Sequence, residues 1–146
     1  MLRVSDIRLA VDADAPAIAQ MSRDYIEHGL SWRWTASRVC QAIRDPATNV
    51  AVLQRRALVV GFGIMHYGDD TAHLALFAVA PAHRHQHAGA QVLAWLEQSA
   101  RLAGLQHIDL EARADNHNAL AFYTHQGYLA CDTVQGYYEG LVDATR

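Results

Sequence analysis

Apolar and polar positions change period along the chain, and each change predicts an element. Ile7 to Val11 reads as a first strand. Asp14 and Pro16 make a helix start, and Ile18, Met21 and Tyr25 recur at helical spacing until His28-Gly29 ends the run. A shorter helix is predicted from Thr35 as N-cap, with Val39, Ala42 and Ile43 turned inward and Asp45-Pro46 as its stop. Three strands follow, Asn49 to Leu53, Ala57 to Tyr67 and His73 to Val79. Gln54-Arg55-Arg56 and Gly68-Asp69-Asp70 are the turns of an antiparallel meander.

Pro81 ends the third of these strands. A long helix is predicted from about His87 to Leu102, with Ala88, Val92, Trp95, Leu96 and Ser99 on its buried stripe and Gly104 beyond its end. His107 to Arg113 alternates, with Ile108, Leu110 and Ala112 on one face and Asp109, Glu111 and Arg113 on the other. A last helix spans about Asn116 to Gln126 and stops at Gly127, and Tyr128 to Cys131 and Val134 to Tyr138 read as closing strands. This order predicts an α/β (α+β) architecture: a mixed, mostly antiparallel sheet of about six to seven strands with about four helices on its faces.

Length and composition narrow the picture. A chain of 146 residues, 51% hydrophobic, is expected to form a single domain over residues 1–146 and to bury a core without disulfides or metal. A net charge of -3 offers no footprint for nucleic acid. Cys40 and Cys131 form no metal or redox spacing and read as reduced thiols. Arg3, Asp6 and Arg8 interrupt any leader, and no apolar run reaches the roughly 18 residues needed to cross a bilayer. The expected location is therefore cytoplasmic, away from membranes, with the oligomeric state open and a homodimer allowed.

Two stretches carry the chemistry. Val79-Ala-Pro-Ala-His-Arg-His-Gln-His-Ala-Gly89 passes from an apolar run, through a proline and polar residues, into an amphipathic helix. Helix starts of that kind collect unpaired N–H groups that hold phosphate oxygens. Asn116-x-x-Ala119-x-x-Phe122-Tyr123-x-x-x-Gly127-Tyr128 adds a hydroxyl and an amide from the next helix. Together they describe a site for a phosphate-bearing carrier with a proton donor nearby, hence group transfer. His83, His85 and His87 alternate, but their side chains diverge once the helix begins and no Cys, Asp or Glu lies within the run, so no metal is expected. Gly61-Phe62-Gly63 lies within a strand and lacks the third glycine and helix of a dinucleotide site.

In order and motifs the chain resembles the GNAT superfamily of acyl-CoA-dependent N-acyltransferases, over nearly its whole length. Arg84-His85-Gln86-His87-Ala88-Gly89 stands in the register of that family's Arg/Gln-x-x-Gly-x-Gly/Ala loop, three residues after Pro81. The Asn116–Tyr128 stretch matches the family's second helix motif at every named position. One residue departs: His87 stands where the family has its first glycine. A histidine already in helical geometry supplies the same N–H; outside it, cofactor affinity suffers. A working loop is the expectation.

The resemblance implies acetyl-CoA as cosubstrate, lying between the His73–Val79 and His107–Arg113 strands. Backbone groups of Phe77, Ala78 and Val79 would meet its arm and stabilise the oxyanion, and residues 84 to 90, Ala90 included, its pyrophosphate. Asn116 would hold the arm or cap its own helix, a role Asp115 could also fill. Tyr123 would be the acid, or a core aromatic beside Phe122. Leu110-Glu111-Ala112-Arg113-Ala114-x-Asn116 looks like the ribosomal-protein N-terminal acetyltransferase branch. There the glutamate is the proposed base, and the alternative for Glu111 is a solvated carboxylate paired with Arg113 or a neighbouring strand. Trp32 and Trp34 would form an acceptor wall or plug the core, and Tyr138 would contact the acceptor or simply suit its strand. Neither cysteine lies in a motif position, so direct transfer is expected. The expected acceptor is a peptide or protein α-amine. The alternatives are a small-molecule amine (amino acid, polyamine or antibiotic) and a non-catalytic CoA-binding module.

Overall fold

Among the described residues, four α-helices and seven strands form in this computed structural model. It describes residues 6–84, 87–112, 116–132 and 137–141, and from Ala130 onward the backbone alone. Strand β1 (Ile7–Leu9) leads through a 3-10 turn at Asp12–Asp14 into α1 (Ala15–Met21), which widens into a π turn over Ser22–Ile26. Helix α2 (Ala36–Arg44) precedes β2 (Thr48–Arg55), β3 (Leu58–Tyr67) and β4 (Thr71–Val79). Then come α3 (Ala88–Leu102), β5 (His107–Glu111), α4 (His117–His125), β6 (Leu129–Asp132) and β7 (Tyr137–Leu141). The sheet order is β1-β2-β3-β4-β5-β7-β6, with only the β4–β5 pair parallel. The predicted class, sheet type and helix number are those observed. No helix among the described residues is long and apolar enough to cross a membrane.

Local chemistry sets most boundaries. Thr35 accepts a hydrogen bond from the Arg38 amide at 3.4 Å and so caps α2, and Gly104, at φ 88, turns the chain out of α3. The first helix is less regular than its spacing predicts. Residues five apart meet in the π turn: the Glu27 amide donates to Ser22 O at 2.7 Å, and Ser22 Oγ donates to Glu27 Oε2 at 2.7 Å. Glu27 also accepts from the Arg33 amide at 2.6 Å, so its buried carboxylate folds the following loop back under the helix. In α3 the buried stripe is Ala88, Gly89, Val92, Leu93, Leu96 and Ala100; Trp95 and Ser99 are only half-buried.

Two apolar clusters cover the two faces of the sheet. Ala51, Leu53, Met65, Ala72, Leu74, Val79, Ile108 and Leu110 pack with α3 and α4. Val50, Val52, Phe62, Ile64, Leu76 and Ala78 pack with α1 and α2. Strand β4 changes face part-way along. Ile64 pairs with Leu76 but Met65 with Leu74, which makes Ala75 an extra residue, a bulge. A one-residue slip turns alternate side chains over, so Leu74 faces α3 while Leu76 and Ala78 face α1 and α2. The parallel β4–β5 pairing ends at Leu74–Leu110, immediately before the bulge. From there the two strands part. Strand β5 stops at Glu111 instead of running to Arg113, which lies outside the described residues.

Candidate active site

The gap beyond Leu74 and Leu110 is bounded by the second half of β4. Its Phe77, Ala78 and Val79 pair with β3 on one side, while on the β5 side no strand among the described residues pairs with Ala75–Val79. A strand edge of this kind accepts an extended, amide-bearing arm as an added strand. Arg84 fixes its far end: Nε donates to Val79 O at 2.9 Å, and the guanidinium lies 5.7 Å from the Tyr25 ring in the π turn.

At the start of α3, His87 is the N-cap with φ 60 and ψ 14. The condition of helical geometry at this position is thus not met; the histidine takes the left-handed conformation that glycine adopts without cost. Histidine is among the residues that tolerate this region, and its side chain is exposed. A left-handed residue followed by helix turns successive N–H groups into one concavity, suited to an anion. Ala88, Gly89 and Ala90 form the first turn; His85 and Gln86 lie outside the described residues. Gly89 has a packing role as well. A Cβ there would stand 3.3 Å from the Phe122 ring and 3.6 Å from Phe77, so its absence lets α3 approach α4.

Tyr123 sits in an aromatic cluster, 6.1 Å from Phe77, 5.4 Å from Phe122 and 6.1 Å from Tyr128 between ring centroids. It is buried, and burial pushes its hydroxyl well above the ordinary phenol value. Asn116 caps α4, accepting from the Ala119 amide at 3.2 Å, which leaves its Nδ2 group for any ligand. Glu111 is exposed at the last position of β5, opposite Tyr137 of β7. Because Ile108 and Leu110 face α3 and α4, Glu111 and Asp109 face the α1–α2 side.

On that side the two tryptophans separate. Trp34 is buried, stacked on His66 at 6.4 Å, with the Arg38 guanidinium 3.9 Å from its ring. Trp32 is 41% exposed and helps line a surface cavity of about 570 Å³ with Arg23, Asp24, Glu27, His28 and Leu30. Tyr138 stands opposite Leu110 in β7, and its side chain lies outside the description.

Sequence reasoning passed over a polar row across the same face. His73 Nδ1 and Asp109 Oδ1 are 2.5 Å apart, and His66 Nδ1 is 2.8 Å from Thr48 Oγ1, which donates to Asp45 Oδ2 at 2.9 Å. Thr48, His66, His73, Asp109 and Glu139 are successive cross-strand partners. The alternation of β5 marked Asp109 as polar-facing, but no local pattern carries the register that sets it against His73.

The sequence profile of the Acetyltransferase (GNAT) family matches residues 15–128. The aminoalkylphosphonate N-acetyltransferase of Salmonella typhimurium is 25% identical over 134 residues, covering 88% of this chain and 87% of that protein. Among solved structures, the PaiA N-acetyltransferase of Thermoplasma acidophilum, in complex with coenzyme A, has a TM-score of 0.81 at 17% identity, over 92% of this chain and 97% of the other. The ribosomal-protein-S18-alanine N-acetyltransferase of Escherichia coli has a TM-score of 0.72 at 21% identity, over 91% and 88%.

Proposed function

Because this chain belongs to the GNAT acetyltransferase family and is an acetyl-CoA-dependent N-acetyltransferase, we propose that its acceptor is the N-terminal α-amine of a peptide or protein, acetylated directly. Glu111 carries the reading. It ends β5 at the point where β4 and β5 part, on the face opposite α3 and α4. An α-amine, with an ordinary pKa of about 7.7–8.0, needs little help to become neutral, whereas lysine at about 10.4 needs far more. A single exposed carboxylate suits the first task.

Acetyl-CoA supplies an activated thioester and a thiolate leaving group. The residues present fit it. The unpaired β4 edge at Phe77, Ala78 and Val79 suits its amide arm and offers N–H groups to negative charge on the carbonyl oxygen. The concavity at His87, Ala88, Gly89 and Ala90 suits a diphosphate, with Arg84, His85 and Gln86 leading into it and Asn116 reaching the arm through Nδ2. Tyr123, kept protonated by burial, gives its proton to the leaving sulfur. Glu111 takes the proton of the amine. Trp32 and its cavity receive the residues that follow the amine, while Trp34 supports them from the core; Tyr138, paired with Leu110, holds a register position on the other face and is left out of this wall.

A second reading, a small-molecule amine, is favoured by the Salmonella relative, whose name specifies an aminoalkylphosphonate. A mass-spectrometric product screen separates the two. Unblocked peptides, aminoalkylphosphonates, amino acids and polyamines are offered side by side with acetyl-CoA. Transfer to peptide α-amines is the expected result, and transfer confined to small amines overturns the peptide reading.

A further inference from the structure

We propose that His73, oriented by Asp109, receives the proton released by the acceptor amine and passes it to solvent, by way of Glu111 and one bridging water. The inference deepens the reading of Glu111 as the base and rests on it. Asp109 and Glu111 are two residues apart on one face of β5, and His73 is the cross-strand partner of Asp109. Glu111 thus stands one step beyond the last β4–β5 pair on the face that carries His73, and the relay places one water between its carboxylate and the imidazole. A neutral His73 that directs its Nδ1 proton to the carboxylate 2.5 Å away presents a lone pair at Nε2, the arrangement of an oriented base.

The surroundings suit a ring that takes up and releases charge. The His73 side chain is 44% exposed, so its outer ring edge meets bulk water, while Asp109 at 21% is the more shielded partner that orients the ring. On β3, His66 is the facing imidazole. Burial first, and then His73 itself, hold His66 below the ordinary histidine value. Among the described residues, Arg38 on α2, Asp45 before β2 and Glu111 on β5 also bring charge to this face, and Glu139 of β7 holds the register position opposite Asp109. Among the described residues no third ligating side chain joins the pair, so it does not read as a metal site.

Handing the proton on leaves Glu111 free to take the next one. The protons and bonds balance. As the nitrogen–carbon bond forms and the carbon–sulfur bond breaks, Tyr123 protonates the sulfur and later regains a proton from solvent. The surplus proton on nitrogen moves to Glu111, across the water to Nε2 of His73, and out.

The test is the kinetics of H73Q, H73A, D109N and E111Q in the intact protein, using whichever amine the product screen finds, with thermal melts verifying that each variant folds. H73Q is expected to lower kcat about tenfold or more without changing KM for acetyl-CoA, and added imidazole to restore rate to H73A. D109N should lower kcat as well, with KM for acetyl-CoA unchanged, because the carboxylate that orients the His73 ring is gone. Imidazole 15N NMR of the protein without substrates should find His73 protonated at Nδ1, a preference lost in D109N. Wild-type kcat and pH profile in H73Q overturn the proposal, as does an H73A defect that imidazole leaves untouched. If E111Q is dead while H73Q is normal, only the relay falls. If E111Q is normal while H73Q is slow, Glu111 loses its role and His73 takes the proton directly.

Discussion

Burial raises the Tyr123 hydroxyl because Phe77, Phe122 and Tyr128 enclose its ring, and a phenol that resists ionisation remains a proton donor throughout the working pH range. Tyr123→Phe keeps the ring in that cluster and removes only the donor. It is expected to lower kcat about a hundredfold while acetyl-CoA affinity, read by calorimetry, stays within about twofold. At His87 the left-handed backbone sets a side chain where glycine is at ease. His87→Gly is expected to raise stability by about 0.5–1 kcal/mol in urea melts and to tighten acetyl-CoA about two- to fivefold, since no ring then stands at the mouth of the concavity. Asp14 is held by Arg8, whose guanidinium donates at 2.8 and 3.0 Å, and by the Val11 amide. The Arg8 hydrogen bonds, above all, hold its carboxyl below the usual aspartate range. A depressed carboxyl stabilises the fold above its unfolded value, and that contribution is lost as pH falls through the folded one. Asp14→Asn should therefore cost about 1–2 kcal/mol at neutral pH and progressively less below about pH 4, measured by melts across that range.

Between β2 and β3 the hairpin turns at Arg56 and Ala57, both at positive φ (51 and 67). This two-residue geometry is the one Asn-Gly favours, and neither residue here advertises it. That is why the sequence suggested a looser turn over Gln54-Arg55-Arg56. Ala57→Gly should stabilise the protein by about 0.5–1 kcal/mol, the reverse of the usual effect of glycine in a strand, with the unfolding midpoint as the measure. The first helix illustrates a similar limit. Ile18, Met21 and Tyr25 announce a helix correctly, but the π turn depends on Glu27 reaching Ser22 and the Arg33 amide at once. In β4 the alternation is unbroken by eye, and the bulge at Ala75 becomes visible only against β3. The helix caps were legible because they are built from neighbours in sequence; Asn116 and Thr35 cap as their side chains suggest.

At the scale of the molecule, the sheet is a frame split where β4 and β5 separate, with α3 and α4 on one face and α1 and α2 on the other. In the proposed reaction the carrier and the acceptor approach that one opening from opposite sides. Acetyl-CoA at about a hundred times its Kd should raise stability by about 2.7 kcal/mol, a rise in Tm of roughly 5–10 °C, and a flat melting curve at millimolar acetyl-CoA would contradict the loop assignment.

What the amino-acid order determined by itself is everything written within about a dozen neighbouring residues: element types, caps, the helix start after Pro81, and the Asn116–Tyr128 stretch. Those features follow from periodicity and from side chains that bond their own backbone. Tertiary structure alone decided which tryptophan entered the core, the left-handed turn at His87, and the meeting of His73 with Asp109, 36 residues away. Register and burial are properties of pairs of segments, and a strand's own alternation is the same whichever partner it finds.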